Sequence, residues 1–371
     1  MRRLIFLSTC LMLVVVSQAA PGAMAQRGTP AATTAPATRP ATAQATTLPS
    51  HDPRPLMDAL IVRKKPTAIT PFAFIAFGDW QGWEKNPGIF AISDKLQPDF
   101  CLLLGDMVND GSGDKGLRNW EKLERCGGWF FRKYPCWTAI GNHEIGSGEP
   151  RNGPDRYTAY WGQPANRLFS FTYANAKFIG LPLSWPRGAA LKALEDELAA
   201  AKDRHIFVFG HIPYYSGGNI PTKDENTQPG IDLFKKYKVT AVFGGHTHSY
   251  YRTQRDGVHY VVNGCGGGGI VETVEPKGVL PGDVYYGQGP KGTYAFHHPD
   301  VKEDVRLKSP KYFAVVVTVE GPKVALRLVD TDGKEWDRAN LAGPAATSAT
   351  PASTSAPATP ATDAKAREAS P

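Results

Sequence analysis

Five times between residues 72 and 248, a short apolar run ends in glycine and the chain passes at once into a polar cluster. The runs are Phe72–Phe77 before Gly78-Asp79, Phe100–Leu104 before Gly105-Asp106, and Cys136–Ile140 before Gly141-Asn142-His143. The other two are Ile206–Phe209 before Gly210-His211 and Thr240–Phe243 before Gly244-Gly245-His246. Unbroken apolar runs of about 4–8 residues read as strands buried on both faces. Glycine at such a strand end lets the backbone turn sharply or approach another segment closely. Leu191, Leu194, Glu195 and Leu198 place a helical stripe within Ala189–Lys202, and Ile231–Tyr237 is a shorter helix candidate. Phe169–Tyr173 with Lys177–Leu181, and Tyr312–Val319 with Val324–Val329, read as hairpins. The expected fold class is α/β, two packed β-sheets with flanking helices. Functional side chains are then expected on the loops beyond the strand C-termini.

Those loops carry Asp79, Asp106, Asn142 with His143, His211, and His246 with His248. Five corners presenting only carboxylate, amide and imidazole are not a core-packing pattern, and a hard or borderline divalent cation wants this mixture of donors. The ordered series Gly78-Asp79, Gly105-Asp106, Gly141-Asn142-His143-Glu144, Gly210-His211 and Gly245-His246-Thr247-His248 resembles the calcineurin-like metallophosphoesterases. Gly78-Asp79-Trp80 is most similar to the small purple acid phosphatase branch of that superfamily.

The resemblance implies a four-layer α/β/β/α sandwich with two mixed sheets and two divalent or trivalent metal ions of the Fe, Mn or Zn type. One ion would take Asp79, Asp106 and His248, and the other Asp106, Asn142, His211 and His246, with Asp106 shared. It also implies hydrolysis of a small-molecule phosphate ester, foremost a monoester, by a metal-bound hydroxide. His143 would support the transition state or protonate the leaving oxygen, and Glu144 would orient His143. Near-neutral proton donation suits imidazole, whose unperturbed pKa is about 6.5. Two alternatives stand beside this expectation: a phosphodiesterase for cyclic nucleotides or phospholipid head groups, and a non-catalytic metal- or phosphate-binding module.

The series departs from its relatives at the first ion. Gln81 stands where most of the superfamily has His, and Asn109 stands where the purple acid phosphatases have Tyr. Gln81 or Asn109 is left to supply a weak amide oxygen there, or water to fill the position, and without the tyrosinate the protein should not be purple.

The rest of the chain sets the context. Arg2 and Arg3 precede the mainly apolar run Leu4–Val16, too short for a bilayer span of about 20 residues, and Ala23-Met24-Ala25 fits a cleavage site. Residues 1–25 therefore read as a signal peptide with a mature start near Gln26, for a secreted or periplasmic protein without stable membrane insertion. Residues 26–50 and 343–371 are rich in Ala, Thr, Pro and Ser and read as disordered arms flanking a single domain at 51–342. The formal charge of +7 falls to +3 beyond residue 50, which argues against nucleic acid as a partner. No feature of the sequence sets an oligomeric state.

Cys126 and Cys136 are the pair that could close a short disulfide loop, whereas Cys101 reads as a buried core residue and no CxxC pair suggests a thiolate zinc site. Gly264–Gly269 reads as a flexible loop beside the site, because neither Lys-Ser/Thr nor a helix follows it. Tyr214 and Tyr215 are candidate pocket walls. His205 and His259 read as structural and His297-His298 as solvent-facing. Segment 276–310, long for a connection, reads as functional or disordered.

Overall fold

The computed structural model describes residues 48–84, 88–201, 204–217, 225–271, 280–289 and 292–341. The expected signal peptide, most of the N-terminal arm and the whole C-terminal tail lie outside the described residues. All five apolar runs are strands: Phe72–Phe77 (β1), Phe100–Leu103 (β2), Cys136–Thr138 (β3), His205–Phe209 (β6) and Ala241–Gly244 (β7). The expected hairpins are Phe169–Tyr173 (β4) with Ala176–Gly180 (β5), and Phe313–Glu320 (β13) with Lys323–Asp330 (β14). Tyr250–Arg255 (β8), Val258–Asn263 (β9), Val284–Gln288 (β10), Tyr294–His297 (β11), Val305–Leu307 (β12) and Glu335–Asn340 (β15) complete the strands among the described residues.

The helices are Pro53–Lys64 (α1), Gly88–Lys95 (α2), Gly113–Phe131 (α3), Asn142–Ile145 (α4), Gly153–Trp161 (α5), Gly188–Ala199 (α6) and Gln228–Lys236 (α7). The last begins three residues before the expected start, since Pro229 is tolerated in a first helical turn.

One sheet runs β15-β14-β13-β1-β2-β3 and the other β12-β11-β10-β8-β9-β7-β6-β5-β4. Both are mixed. β1, β2 and β3 are parallel in the first sheet, and β5, β6, β7 and β9 in the second. Strand alternation builds three apolar layers from the same residues. Phe74, Ala76, Phe100 and Leu102 face Phe178, Phe207 and Phe243 between the sheets. Ile75, Phe77, Cys101 and Leu103 face the other way, onto Phe90, Trp120, Leu123 and Trp161 of α2, α3 and α5. In the second sheet Ile206, Val208 and Val242 pack on Leu194 and Leu198 of α6 and Ile231 and Phe234 of α7. The order of layers is therefore α/β/β/α. The inter-sheet layer is aromatic: Phe74 stacks on Phe100 at 5.7 Å and meets Phe178 and Phe207 edge-on at 5.3 and 5.1 Å.

Candidate metal centre

β1, β2 and β3 end at one edge of the sandwich, where their loops deliver Asp79, Asp106, Asn142 and His143 from the first sheet. β6 and β7 deliver His211, His246 and His248 from the second. Three of these positions share a backbone device absent from the sequence reading. Asp79, Asp106 and His246 all have left-handed φ, at 60°, 52° and 68°. Such conformations are costly for residues other than glycine and persist where surrounding structure over-determines them. Here the surroundings do so. The Asp79 N–H donates to Gly105 O at 2.9 Å, the Gly245 N–H to His211 O at 2.8 Å, and the His246 N–H to the Asp79 carboxylate at 2.9 Å. Gly141 has no room for a side chain, because a Cβ there would lie 2.1 Å from Asp106 Oδ1.

His211 is the hub. Its Nδ1–H donates to Leu104 O at 2.8 Å, which turns Nε2 toward the other donor groups. That nitrogen lies 3.0 Å from Asn142 Oδ1, 3.1 Å from His246 Nδ1 and 3.3 Å from Asp106 Oδ2. The ligand atoms of Asp106, His211 and His246 all fall within 4.8 Å of one another. Acceptor atoms aimed at one point require positive charge there. The titration behaviour carries the same message. Burial opposes protonation of His211, but Asp106 and Asp79 outweigh it and push His211 up to about 10. Burial, then His211, brings His246 down to about 4. Burial holds Asp79 well above the carboxylate range, while at Asp106 the burial penalty is overcome by His211 and His143 and the carboxyl sits below its usual value. The donor set of two carboxylates, one amide and imidazoles fits a divalent metal.

His248 Nδ1–H donates to Gly269 O at 2.5 Å, and its Nε2 lies 3.5 Å from Asp79 Oδ1. Gln81 is beside it, with its amide nitrogen 3.0 Å from His248 Nε2. Asn109 has a part that was not expected of it. Its side chain is exposed and its backbone carbonyl accepts from His143 Nδ1 at 2.7 Å. That carbonyl, rather than Glu144, orients the His143 ring, and His143 Nε2 lies 3.8 Å from Asp106 Oδ2. Glu144 is instead fully buried and accepts backbone N–H groups. Oε2 takes Asp106 at 2.8 Å and Gly141 at 2.7 Å, and Oε1 takes Met107 at 2.6 Å and Val108 at 3.3 Å. A carboxylate with no access to water must find such donors. Burial, then the charge of Asp106, raises Glu144 to about 7.

Other expectations change as well. Gly264–Gly269 does lie beside the site, but it is packed rather than flexible: the Gly266 N–H donates to Gly78 O and the Gly268 N–H to Asp79 O, at 2.9 and 2.8 Å. Tyr214 is buried against Phe234 and Trp185, and with Tyr215 it lines a small cavity whose other walls include Phe243, Tyr260 and Val262. His297 pairs with Asp304 at 2.8 Å and His298 with Asp337 at 3.3 Å, so neither simply faces solvent. Cys101, Cys126, Cys136 and Cys265 are all free thiols, and Cys136 sits in register with Cys101 across β2 and β3. His205 and His259 are in strands, as expected. The carbonyls of Leu104, Asn109 and Gly269, which set three imidazole orientations, had no signal in the sequence.

The five corners lie inside residues 72–250, which match the sequence profile of the calcineurin-like phosphoesterase family. Residues 72–250 belong to that family. The calcineurin-like phosphoesterase segment runs from the first residue of β1 to the first of β8 and so contains every candidate ligand. The chain is similar to mouse tartrate-resistant acid phosphatase type 5, at 28% identity over 249 residues, 54% of this chain and 74% of the relative. It is also similar to the zebrafish serine/threonine-protein phosphatase CPPED1, at 29% identity over 199 residues, 47% of this chain and 62% of the relative. A solved dimetal phosphatase from Danio rerio superposes with a TM-score of 0.44 at 13% identity, covering 64% of this chain and 98% of that one. The family match and the two sequence relatives support a phosphoesterase. No helix among the described residues is long and apolar enough to cross a membrane.

Proposed function

We propose that this chain is an exported phosphoesterase that holds two metal ions and hydrolyses phosphate monoesters. The observation that carries the reading is the convergence on His211 Nε2 of Asn142 Oδ1, His246 Nδ1 and Asp106 Oδ2, at 3.0, 3.1 and 3.3 Å. Asp106, Asn142, His211 and His246 would hold one ion, and Asp79, Asp106 and His248 the other. When bound, paired divalent cations supply Lewis acidity and activate water near neutral pH.

The chain's own groups do the rest. Asp106, shared by the two ligand sets in this reading, would offset part of the positive charge and leave a net attraction for a phosphate anion. His143 is a third exposed, and its ring is fixed through Nδ1 on the Asn109 carbonyl. Its Nε2 is thereby directed toward the Asp106 side, and in the imidazolium form, with Nδ1–H still on the Asn109 carbonyl, Nε2 carries the proton that the leaving alkoxide or phenoxide takes. Glu144 holds the Asp106 and Gly141 loops together and is a positioning residue.

The test is hydrolysis of matched mono- and diesters by the purified full-length protein, with elemental analysis of the same sample and its intact mass to locate the mature N-terminus. Asp106→Ala and His246→Ala should lose at least about 10²-fold in kcat/KM together with metal. His143→Ala should keep its metal and lose about 10²–10⁴-fold in kcat. Near-normal turnover in Asp106→Ala, or a metal-free active protein, would refute the reading, and preference for the diester would move the assignment to a phosphodiesterase.

A further inference from the structure

The two halves of the centre are not built alike. In one, three acceptor atoms surround His211 Nε2 at 3.0–3.3 Å. In the other, His248 donates from Nδ1 to Gly269 O, so its Nε2 carries the lone pair that a cation would use. The amide nitrogen of Gln81 lies 3.0 Å from that lone pair, and as an NH2 group it donates into it.

Gln81 is tied down at its backbone. Its backbone is left-handed, with φ of 50°, and its N–H donates to Asp106 O at 2.9 Å. Its amide oxygen rests against the packed glycine run, where a Cβ on Gly268 would lie 3.4 Å from Oε1 and 3.5 Å from His248 Cε1. The backbone of Gln81 is therefore fixed and its amide nitrogen is aimed at His248 Nε2.

We propose that Gln81 competes with a cation for His248 Nε2, so that the Asp79–His248 half binds its ion more weakly and exchanges it faster than the half centred on His211. The inference rests on the two-ion reading given above. It deepens that reading by making one ion resident and the other exchangeable, so that hydrolysis follows the free divalent-cation concentration.

Mn2+ binding to the full-length protein, followed by electron paramagnetic resonance of the free ion, tests this without reference to turnover. The wild type should show a tight and a weak class, and His248→Ala should lose only the weak one. Gln81→Gly removes the competing amide and suits the positive φ, so it should tighten the weak class about tenfold. This is the size of one net hydrogen bond at 1.4 kcal/mol per decade. Gln81→His adds an imidazole and should tighten the class further.

Two equal classes in the wild type would overturn the proposal. So would a weak class that is unchanged or loosened in Gln81→Gly, the latter being the result expected of an oxygen ligand. A wild-type protein that binds no Mn2+ at all would instead overturn the two-ion reading, which keeps the two failures apart.

Discussion

The Glu144 carboxylate is hydrogen-bonded to backbone N–H groups while the His143 ring is held by the Asn109 carbonyl, yet Glu144 has a specific role. Its four N–H partners come from residues 106–108 and 141, so one carboxylate fastens the β2 and β3 corners together. Glu144→Gln keeps the volume but puts an NH2 against backbone N–H groups, leaving buried donors unpaired at about 1–3 kcal/mol each. Unfolding in urea should show a loss of roughly 2–5 kcal/mol. Metal affinity should fall with it, because Asp106 and Asn142 ride on the two loops; unchanged stability would show the clamp to be idle. At this scale the candidate donor residues were legible, since each apolar run ends in Gly and a donor residue. The left-handed backbone at Asp79, Asp106 and His246 was not, because it is imposed by hydrogen bonds from remote segments.

Among the elements, the glycine run 264–269 shows why composition misleads. Glycine often signals mobility, but here it signals close approach. A Cβ at Gly266 would lie 2.1 Å from Gly78 O, a backbone atom that cannot step aside. Gly266→Ala should therefore cost about 1–3 kcal/mol in unfolding free energy, the usual range for overpacking. Through Gly78 it should also disturb the Asp79 corner and lower metal affinity; a stable variant with normal metal content would contradict this. The central strands were legible because their apolar runs are unbroken. β10, β11 and β12 were not, being three to five residues long, partly exposed and rich in Tyr and His. They extend the second sheet by pairing with β8 and each other, a long-range choice that no local pattern encodes.

For the whole molecule, the join between the sheets includes a buried ion pair as well as the aromatic layer. Arg252 on β8 of the second sheet donates to Asp337 on β15 of the first, from Nε at 2.6 Å and Nη2 at 2.9 Å. The Tyr250 hydroxyl donates to the same carboxylate at 2.6 Å. Burial opposes the charge on Asp337, but Arg252 and Tyr250 hold its pKa below the usual aspartate value. A lowered pKa means that the stabilisation is complete above about pH 4, the unfolded aspartate value, and is lost as pH falls through the folded one. Asp337→Ala strands the buried guanidinium and should cost about 3–5 kcal/mol at neutral pH. Asp337→Asn should flatten the acid limb of the stability curve measured by denaturant titration; an unaltered limb would remove Asp337 from the account.

The amino-acid order by itself determined the α/β class, the five corners and the chemical kinds of donor they carry. These follow from local hydrophobic runs and from glycine at their ends. Tertiary structure alone decided which imidazole nitrogen faces the centre, that the Asn109 carbonyl orients His143, and that Gln81 reaches His248. Those outcomes depend on backbone carbonyls and donors brought together from segments far apart in the chain, and no local pattern specifies where a distant carbonyl will lie.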